Sequence, residues 1–309
     1  LPPSAFVEMG ISAGKRIMKN GKVGLENVKF HKDLSLAKTD EGTDVQVVVM
    51  PKSEREATFK AYSFQSDKGE ENWILHAEGS IVQEDIDAVV GEGPVTSLAA
   101  IKKQCAPLAL DDFYRNLDNA SQCFDDAADA FAEIHLGDGV ALTKLKVADD
   151  VKSHITNYEL HPMYLDACCQ TMALLVQEEG TVFVPDGFEK QLSYRNDFDD
   201  VWCYAVVKKS DKQSIIGDVY LVGDSDEIFH AIKGMRLTKM TPEEKHFYEA
   251  LALELTKDIE TSPKPVTAIT RYELLAVQES EREAKLLEYL GGVIFKCCGL
   301  KLKIEKRIL

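Results

Sequence analysis

The chain has 309 residues, of which 45% are hydrophobic and 28% are charged. This composition is typical of globular proteins and argues against a disordered or fibrous chain. The 36 basic and 52 acidic residues give a formal net charge of −16, so we expect no nucleic acid as a partner, because phosphate neutralisation requires Lys and Arg. No apolar run is long enough to cross a bilayer, so we expect no membrane partner either.

Seven cysteines are spread along the chain, and they form no C-x-x-C motif. Their odd number and the two adjacent pairs argue against a disulfide framework, and the missing motif argues against a zinc site. Free thiols of this kind are typical of a reducing compartment. We therefore expect a cytoplasmic protein without a metal.

The first part of the chain predicts one helix followed by an antiparallel sheet. Residues 4–18 carry apolar side chains at helical spacing and end before Asn20-Gly21, a common stop signal. Alternating or valine-rich stretches at residues 44–50, 58–64 and 73–78 predict strands. A chain of 309 residues has room for about two domains, and we place the end of the first unit near residue 103.

The same order of elements then recurs. A short helix is predicted at residues 111–117 and a longer one at residues 164–177, with strands placed around them. These strands are at residues 140–147, 181–184, 201–208, 215–222 and 228–238. The predicted organisation is an N-terminal unit at 1–103, a linker at 104–112 and a C-terminal unit at 113–240.

Residues 161–170, with the sequence HPMYLDACCQ, are the most informative stretch. Pro162 marks a helix start, so Asp166 falls near the first turn and Gln170 lies on the same face, within reach of a hydrogen bond to the Asp166 carboxyl. The other neighbours are apolar, which predicts a raised pKa for Asp166 and a role as general acid. The alternative is that Asp166 only caps the helix or faces solvent.

The segment HPMYLDACCQ resembles the HPxxLDAxxQ motif of polyketide synthase dehydratase domains. Three other segments resemble family segments in the same order: LPPSAFVEMG, LENVKFHKDLSL and WILHAEGSI. Together with shorter matches they extend the resemblance over about residues 1–240. An ordered set of this kind is far more specific than one motif.

The resemblance implies an α+β double hotdog, in which two antiparallel sheets are each wrapped on a central helix, followed here by a C-terminal helical segment. It also implies a reaction: a β-hydroxyacyl thioester on the phosphopantetheine arm of an acyl carrier protein loses water. A His removes the α-proton, Asp166 acts as general acid and Gln170 orients Asp166. Backbone N–H groups at a helix end would hold the thioester oxygen. No cofactor is implied for the dehydratase itself.

The resemblance carries further site and partner expectations. The partners would be the carrier protein and other synthase domains, and a homodimer is possible for this fold. The residues expected to contact the acyl thioester substrate are Pro2, Phe6, His161, Pro162, Leu165, Val184, Pro185 and Gly187.

Three features depart from the family pattern or need separate interpretation. Pro2 matches the last position of the family's HxxxGxxxxP motif, so the general-base His is expected nine residues earlier, upstream of Leu1 and outside this chain. The counterpart of the YGPxF segment is Phe124–Ala128, which lacks its Tyr and its Gly-Pro turn. His76 is interpreted as structural, and His161 belongs to the HP motif and is not the base.

Residues 241–279 predict a helix and a proline-containing linker. Residues 280–309 are interpreted as the start of an acyl carrier domain: Ser280 opens an amphipathic helix, and AKLLEYLGGVIFKCCGL resembles the first helix of a carrier protein. The phosphopantetheine-bearing Ser would follow Leu309. We therefore expect the chain to be cut from a longer synthase at both ends.

Two alternatives to a dehydratase stay open at this point. One is a catalytically silent double hotdog that binds a chain or serves as a scaffold, which the changed Phe124–Ala128 segment favours. The other is a product-template cyclase on the same fold. The intact Asp166 and Gln170 favour the dehydratase over both.

Overall fold

A computed structural model describes residues 2–18, 22–32, 34, 43–67, 70–84, 97–110, 131–147, 151–152, 155–176, 182–193, 200–241 and 300–302. Its helices are α1 (Pro3–Ile17), α2 (Leu98–Gln104) and α3 (Pro162–Ala173), with a 3-10 turn at Ile155–Asn157. The first strands are β1 (Lys22–Phe30), β2 (Thr43–Pro51), β3 (Glu56–Asp67), β4 (Glu70–Glu84), β5 (Ala106–Leu108) and β6 (Phe131–Gly137). The remaining strands are β7 (Val140–Leu145), β8 (Phe183–Ser193), β9 (Val201–Ser210), β10 (Ser214–Gly223), β11 (Ile228–Lys239) and β12 (Leu300–Leu302).

Several sequence predictions lie outside the described residues. They are the helix at 111–117, the Phe124–Ala128 segment, nearly all of the helix and linker at 241–279, and nearly all of the carrier-domain start at 280–309. These stay predictions.

The strands form one sheet in the order β12-β2-β3-β4-β1-β8-β11-β10-β9-β7-β6-β5. All neighbours are antiparallel except β12, which runs parallel to β2. Each half of the sheet has one long helix packed against it, as predicted. The two half-sheets are continuous, however, because β1 pairs with β8 through registers such as Leu25 with Gln191.

α1 packs closely against the N-terminal half because small residues face the sheet. The side chains of Phe6, Val7 and Ile11 on this helix are buried. A Cβ on Gly14 would lie 2.5 Å from Ile81 Cγ2, so no larger residue fits there without displacing the helix. The helix predicted at residues 4–18 is therefore confirmed, but its buried face runs through Phe6, Ile11 and Gly14. Ile17, at the end of the predicted apolar stripe, is 41% exposed.

α3 occupies the corresponding place in the C-terminal half, against β7, β9 and β10. It begins at Pro162, whose missing N–H costs nothing at a helix start. Leu165, Cys168 and Met172 are buried beneath it. This helix therefore places the HP motif and Asp166 near one end of the core.

The junction between the halves depends on Gly187 in β8. This residue has a φ of 152°, and a Cβ on it would lie 2.2 Å from the carbonyl oxygen of Val28 in β1. Only glycine allows the two strands to approach this closely. Gly187 therefore serves the continuity of the sheet.

α2 and β5 both pack on the C-terminal half. Leu98 and Ile101 of α2 join a cluster on the outer face of the sheet with Leu142 and Trp202. β5 pairs with β6, so part of the predicted linker at 104–112 is a strand of the C-terminal half. Within the described residues, the N-terminal half-sheet thus consists of β1 to β4, and β12 is added at its edge beside β2.

Candidate active site

The central helices α1 and α3 contact each other where the two halves meet. Ser4, in the first turn of α1, lies beside the carboxyl group of Asp166 on α3. Ser4 is 2% exposed, whereas Asp166 keeps part of its surface accessible. Asp166 is therefore the partly accessible acidic group at the contact between the helices.

Burial raises the pKa of Asp166 from 3.8 to about 6. The nearby Ser4 hydroxyl opposes this rise by favouring the charged carboxylate. Ser4 Oγ does not reach ordinary hydrogen-bond geometry with any described residue. The Asp166 carboxyl thus holds a proton at higher pH than an ordinary aspartate, which a general acid requires.

Gln170 lies one turn after Asp166 on the buried face of α3. Its Oε1 has no hydrogen-bond partner among the described residues. The hydrogen bond that the spacing predicted between Gln170 and Asp166 is not formed in the structure. A buried acceptor without a partner is costly to maintain, and Oε1 can accept a hydrogen bond from a bound molecule.

The HP motif fixes the start of α3. His161 caps the helix, with its Nδ1 accepting a hydrogen bond from the Met163 backbone N–H at 3.3 Å. Its ring meets Tyr158 edge to face, with centroids 4.5 Å apart. Because Nδ1 is used as a cap, His161 has a local structural role, in line with its interpretation as part of the motif and not the base.

His76 is a buried histidine, which agrees with the structural role expected from the sequence. Its Nδ1 bonds the carbonyl oxygen of Lys32 at 2.6 Å, and its Nε2 bonds the Ser63 hydroxyl at 2.7 Å. Phe6 stacks on the ring, with centroids 5.3 Å apart and planes at 3°. Burial lowers the pKa of His76, so the neutral ring is favoured and both nitrogens are already in use.

The residues expected to contact substrate fall on three elements. Pro2 precedes α1 and is exposed, and Phe6 lies one turn further along the helix. Val184, Pro185 and Gly187 lie on β8, which contacts α3. Phe6 and Leu165 are each 2% exposed and belong to the core, so their side chains first serve packing. Contact of any of these residues with substrate stays a prediction.

Glu8 on α1 is a buried carboxyl that the sequence analysis missed. Its Oε1 accepts hydrogen bonds from the Ser12 hydroxyl at 2.8 Å and the Glu159 backbone N–H at 3.1 Å. Its Oε2 accepts one from the Leu160 N–H at 2.8 Å. Burial raises its pKa to about 7, against the opposing effect of these bonds. The signal in the sequence was an acidic residue inside the apolar stripe of α1.

The described residues contain no group of three or more His, Cys, Asp or Glu side chains placed to hold a metal ion. In the same part of the chain, no helix is long and apolar enough to cross a membrane. Cys168 and Cys203 are free thiols whose sulfur atoms lie 3.8 Å apart. The Asp166 carboxyl and the Gln170 amide are polar groups that α3 places in the described part of this site.

Two family models match the chain. The model described as "Polyketide synthase dehydratase domain" matches residues 1–64, and "Polyketide synthase dehydratase N-terminal domain" matches residues 94–246. Polyketide synthase PksN of Bacillus subtilis (strain 168) is 24% identical over 217 residues, which are 65% of this chain and 4% of that protein. The phthioceranic/hydroxyphthioceranic acid synthase of Mycobacterium tuberculosis (strain ATCC 25618 / H37Rv) is 23% identical over 257 residues, 80% of this chain and 12% of the relative. The chain therefore spans only a small part of these multidomain relatives.

Solved structures show the same fold. The dehydratase domain from the CurF module of the curacin polyketide synthase matches with a TM-score of 0.67 at 22% identity, covering 78% of this chain and 84% of that one. A dehydratase domain of a mycocerosic acid synthase-like polyketide synthase matches with a TM-score of 0.62 at 16% identity, covering 77% and 82%. The predicted double hotdog is confirmed. Two other matches are described as inactive mutants of the CurK dehydratase, one with Asp changed to Asn and one with His changed to Phe.

Proposed function

Because the chain belongs to the polyketide synthase dehydratase family, we propose that it removes water from a β-hydroxyacyl thioester carried on phosphopantetheine. The observation that carries this proposal is the Asp166 carboxyl, whose pKa burial raises to about 6. A neutral carboxylic acid at this position can donate its proton to a leaving hydroxyl group. Gln170, one turn away, offers its unpaired Oε1 as an acceptor for a hydrogen bond from the substrate or from protonated Asp166.

In the proposed reaction, a general base removes the proton from Cα of the acyl chain. The electron pair of that C–H bond forms the Cα–Cβ double bond as the Cβ–O bond breaks. Asp166 gives its proton to the departing oxygen, so the hydroxyl leaves as water. Solvent then returns a proton to Asp166, and the base loses the one it took.

The proposed general base is a histidine of the family motif that precedes Pro2 in the parent polypeptide. His76 is a poor candidate because both ring nitrogens are bonded inside the core. His161 uses Nδ1 to cap α3. The two inactive CurK mutants, one in Asp and one in His, support a mechanism that needs one residue of each type.

The proposed partners follow from the same chemistry. An acyl carrier protein would present the thioester, and other synthase domains would form and consume it, as the multidomain relatives suggest. The free thiols of Cys168 and Cys203 support a reducing, cytoplasmic setting. A homodimer and a carrier domain beginning near residue 280 belong to this proposal as well.

The test uses the parent polypeptide that includes the proposed histidine. It is incubated with a β-hydroxybutyryl thioester of pantetheine, and the product mass is followed. We expect loss of one water, and we expect Asp166→Asn to lower the rate by about 10²–10⁴-fold, which is the usual contribution of general acid–base catalysis. Asp44→Asn makes the same chemical change at an exposed position of β2 and should leave the rate unchanged.

Two results would overturn the proposal. If Asp166→Asn keeps the full rate, Asp166 is not the acid. If the folded polypeptide binds the thioester without releasing water, the silent scaffold is the better description, and release of a cyclised product instead would identify a cyclase.

A further inference from the structure

We infer that Glu8 is a positioning residue that sets the place of Asp166 by tying α1 to the segment that leads into α3. This inference rests on the proposed function, because it assigns Glu8 a role in the work of the general acid. It concerns a carboxyl group that does not itself reach the reacting atoms.

The tie is a fork of hydrogen bonds between the halves of the protein. Both oxygens of the Glu8 carboxylate accept a backbone N–H from the other half, at 3.1 Å from Glu159 and at 2.8 Å from Leu160. The sequence separations are 151 and 152 residues, so these bonds link elements that are remote in the chain. A further ion pair joins Lys15 of α1 to the Glu159 side chain.

The bonded segment lies directly before α3. Leu160 is followed by the cap residue His161 and by Pro162, where the helix begins. Asp166 thus lies little more than one turn after the start of α3. The hydrogen bonds of Glu8 hold the segment directly before that start. Because α3 is rigid over this distance, a shift of its start is passed on to the Asp166 carboxyl.

One polar stripe of α1 makes all of these contacts. Ser4, Glu8, Ser12 and Lys15 follow each other at spacings of four, four and three residues, so they share a helix face. Ser4 meets Asp166 itself, and Glu8 and Lys15 meet the segment before α3. Ser12 donates its hydroxyl hydrogen bond to Glu8 and so orients the carboxylate.

A carboxylate suits this place better than an amide. It presents acceptors only, and two backbone N–H donors point at it. A glutamine would direct its NH₂ group at one of these N–H groups and leave that donor unpaired. Burial raises the pKa of Glu8 to about 7. The raised pKa shows that burial of the charged carboxylate costs free energy.

The experiment compares Glu8→Gln with Glu54→Gln in the parent polypeptide that includes the proposed histidine. Glu54 lies on an exposed turn, so its variant makes the same chemical change away from the tie. We expect Glu8→Gln to lower kcat by about 10- to 100-fold, as a misplaced catalytic group does, with KM nearly unchanged. Hydrogen exchange at the amides of Glu159 and Leu160 should become faster in Glu8→Gln and stay slow in Glu54→Gln.

The outcomes separate this inference from the proposed function. If the wild-type polypeptide releases no water, the proposed function fails, and the exchange rates at Glu159 and Leu160 alone decide whether the tie exists. If the wild type is active and Glu8→Gln keeps its kcat, or loses activity only through KM, the positioning role is refuted. If Glu8→Gln does not fold, Ser12→Ala takes its place, and an unchanged kcat and unchanged exchange at both amides would refute the role.

Discussion

The helices α1 and α3 each carry one carboxyl group whose pKa is raised by burial, but the two groups have different surroundings. Glu8 on α1 accepts three hydrogen bonds, two of them from backbone N–H groups. Among the described residues, Ser4 supplies the hydroxyl beside Asp166 on α3, and Asp166 keeps some accessible surface. Burial is thus common to both groups, and the supply of donors is what separates them.

This difference indicates which group is free for chemistry. A carboxylate that accepts several hydrogen bonds is held in place, and any proton it takes up disturbs those bonds. A carboxyl group without firm partners can gain and lose a proton with little rearrangement around it. Glu8 therefore fits a structural role next to the site, and Asp166 fits the role of the acid.

The largest expected effect on stability concerns Asp166. The raised pKa means that the folded state favours protonated Asp166, so this contribution is present below pH 3.8 and is lost as the pH rises through about 6. Above pH 6 the buried charge destabilises the fold. We expect Asp166→Asn to raise the free energy of unfolding by about 1–3 kcal/mol at pH 8, measured by urea unfolding.

The same comparison at pH 4 provides the internal control. Wild-type Asp166 is then largely neutral, so the advantage of the asparagine variant should nearly vanish. Asp44→Asn should show no gain at either pH, because Asp44 is exposed. A destabilised Asp166→Asn at pH 8 would mean that the charged carboxylate has partners that stabilise it.

A smaller effect is expected for Gln170, whose Oε1 has no hydrogen-bond partner among the described residues. Gln170→Met keeps the length and packing of the side chain and removes its polar atoms. We expect a fall in kcat of about tenfold, equivalent to about 1.4 kcal/mol, if the amide bonds the substrate or Asp166 during the reaction.

Thermal stability measured on the same variant separates the two possible roles of Gln170. Removal of an unpaired buried acceptor should leave stability unchanged or slightly increased. A full kcat in Gln170→Met would show that Gln170 serves packing alone.

The local features of this fold could be predicted from the sequence. The apolar spacing in residues 4–18 predicted α1, which spans Pro3–Ile17, and the HP motif predicted the start of α3 at Pro162. Period-two alternation located most strands within a few residues. These features depend on neighbours in the chain, so a single sequence contains them.

The contacts between remote elements could not be predicted in the same way. The i,i+4 spacing suggested a Gln170–Asp166 hydrogen bond, which the structure does not form, because spacing places two side chains on one face without fixing their rotamers. The bonds of Glu8 go to backbone N–H groups, which carry no side-chain signature. The pairing of β1 with β8 depends on the close approach at Gly187, whose partner is 159 residues earlier at Val28.

The most direct test of the central claim is an NMR titration of the Asp166 side-chain carboxyl carbon in this chain, assigned by comparison with Asp166→Asn. The claim is that α1 and α3 together hold Asp166 protonated to unusually high pH. We predict a titration midpoint near pH 6, in agreement with the raised pKa. A midpoint near 3.8, the ordinary value for aspartate, would show that the group is a solvated carboxylate and would contradict its role as the general acid.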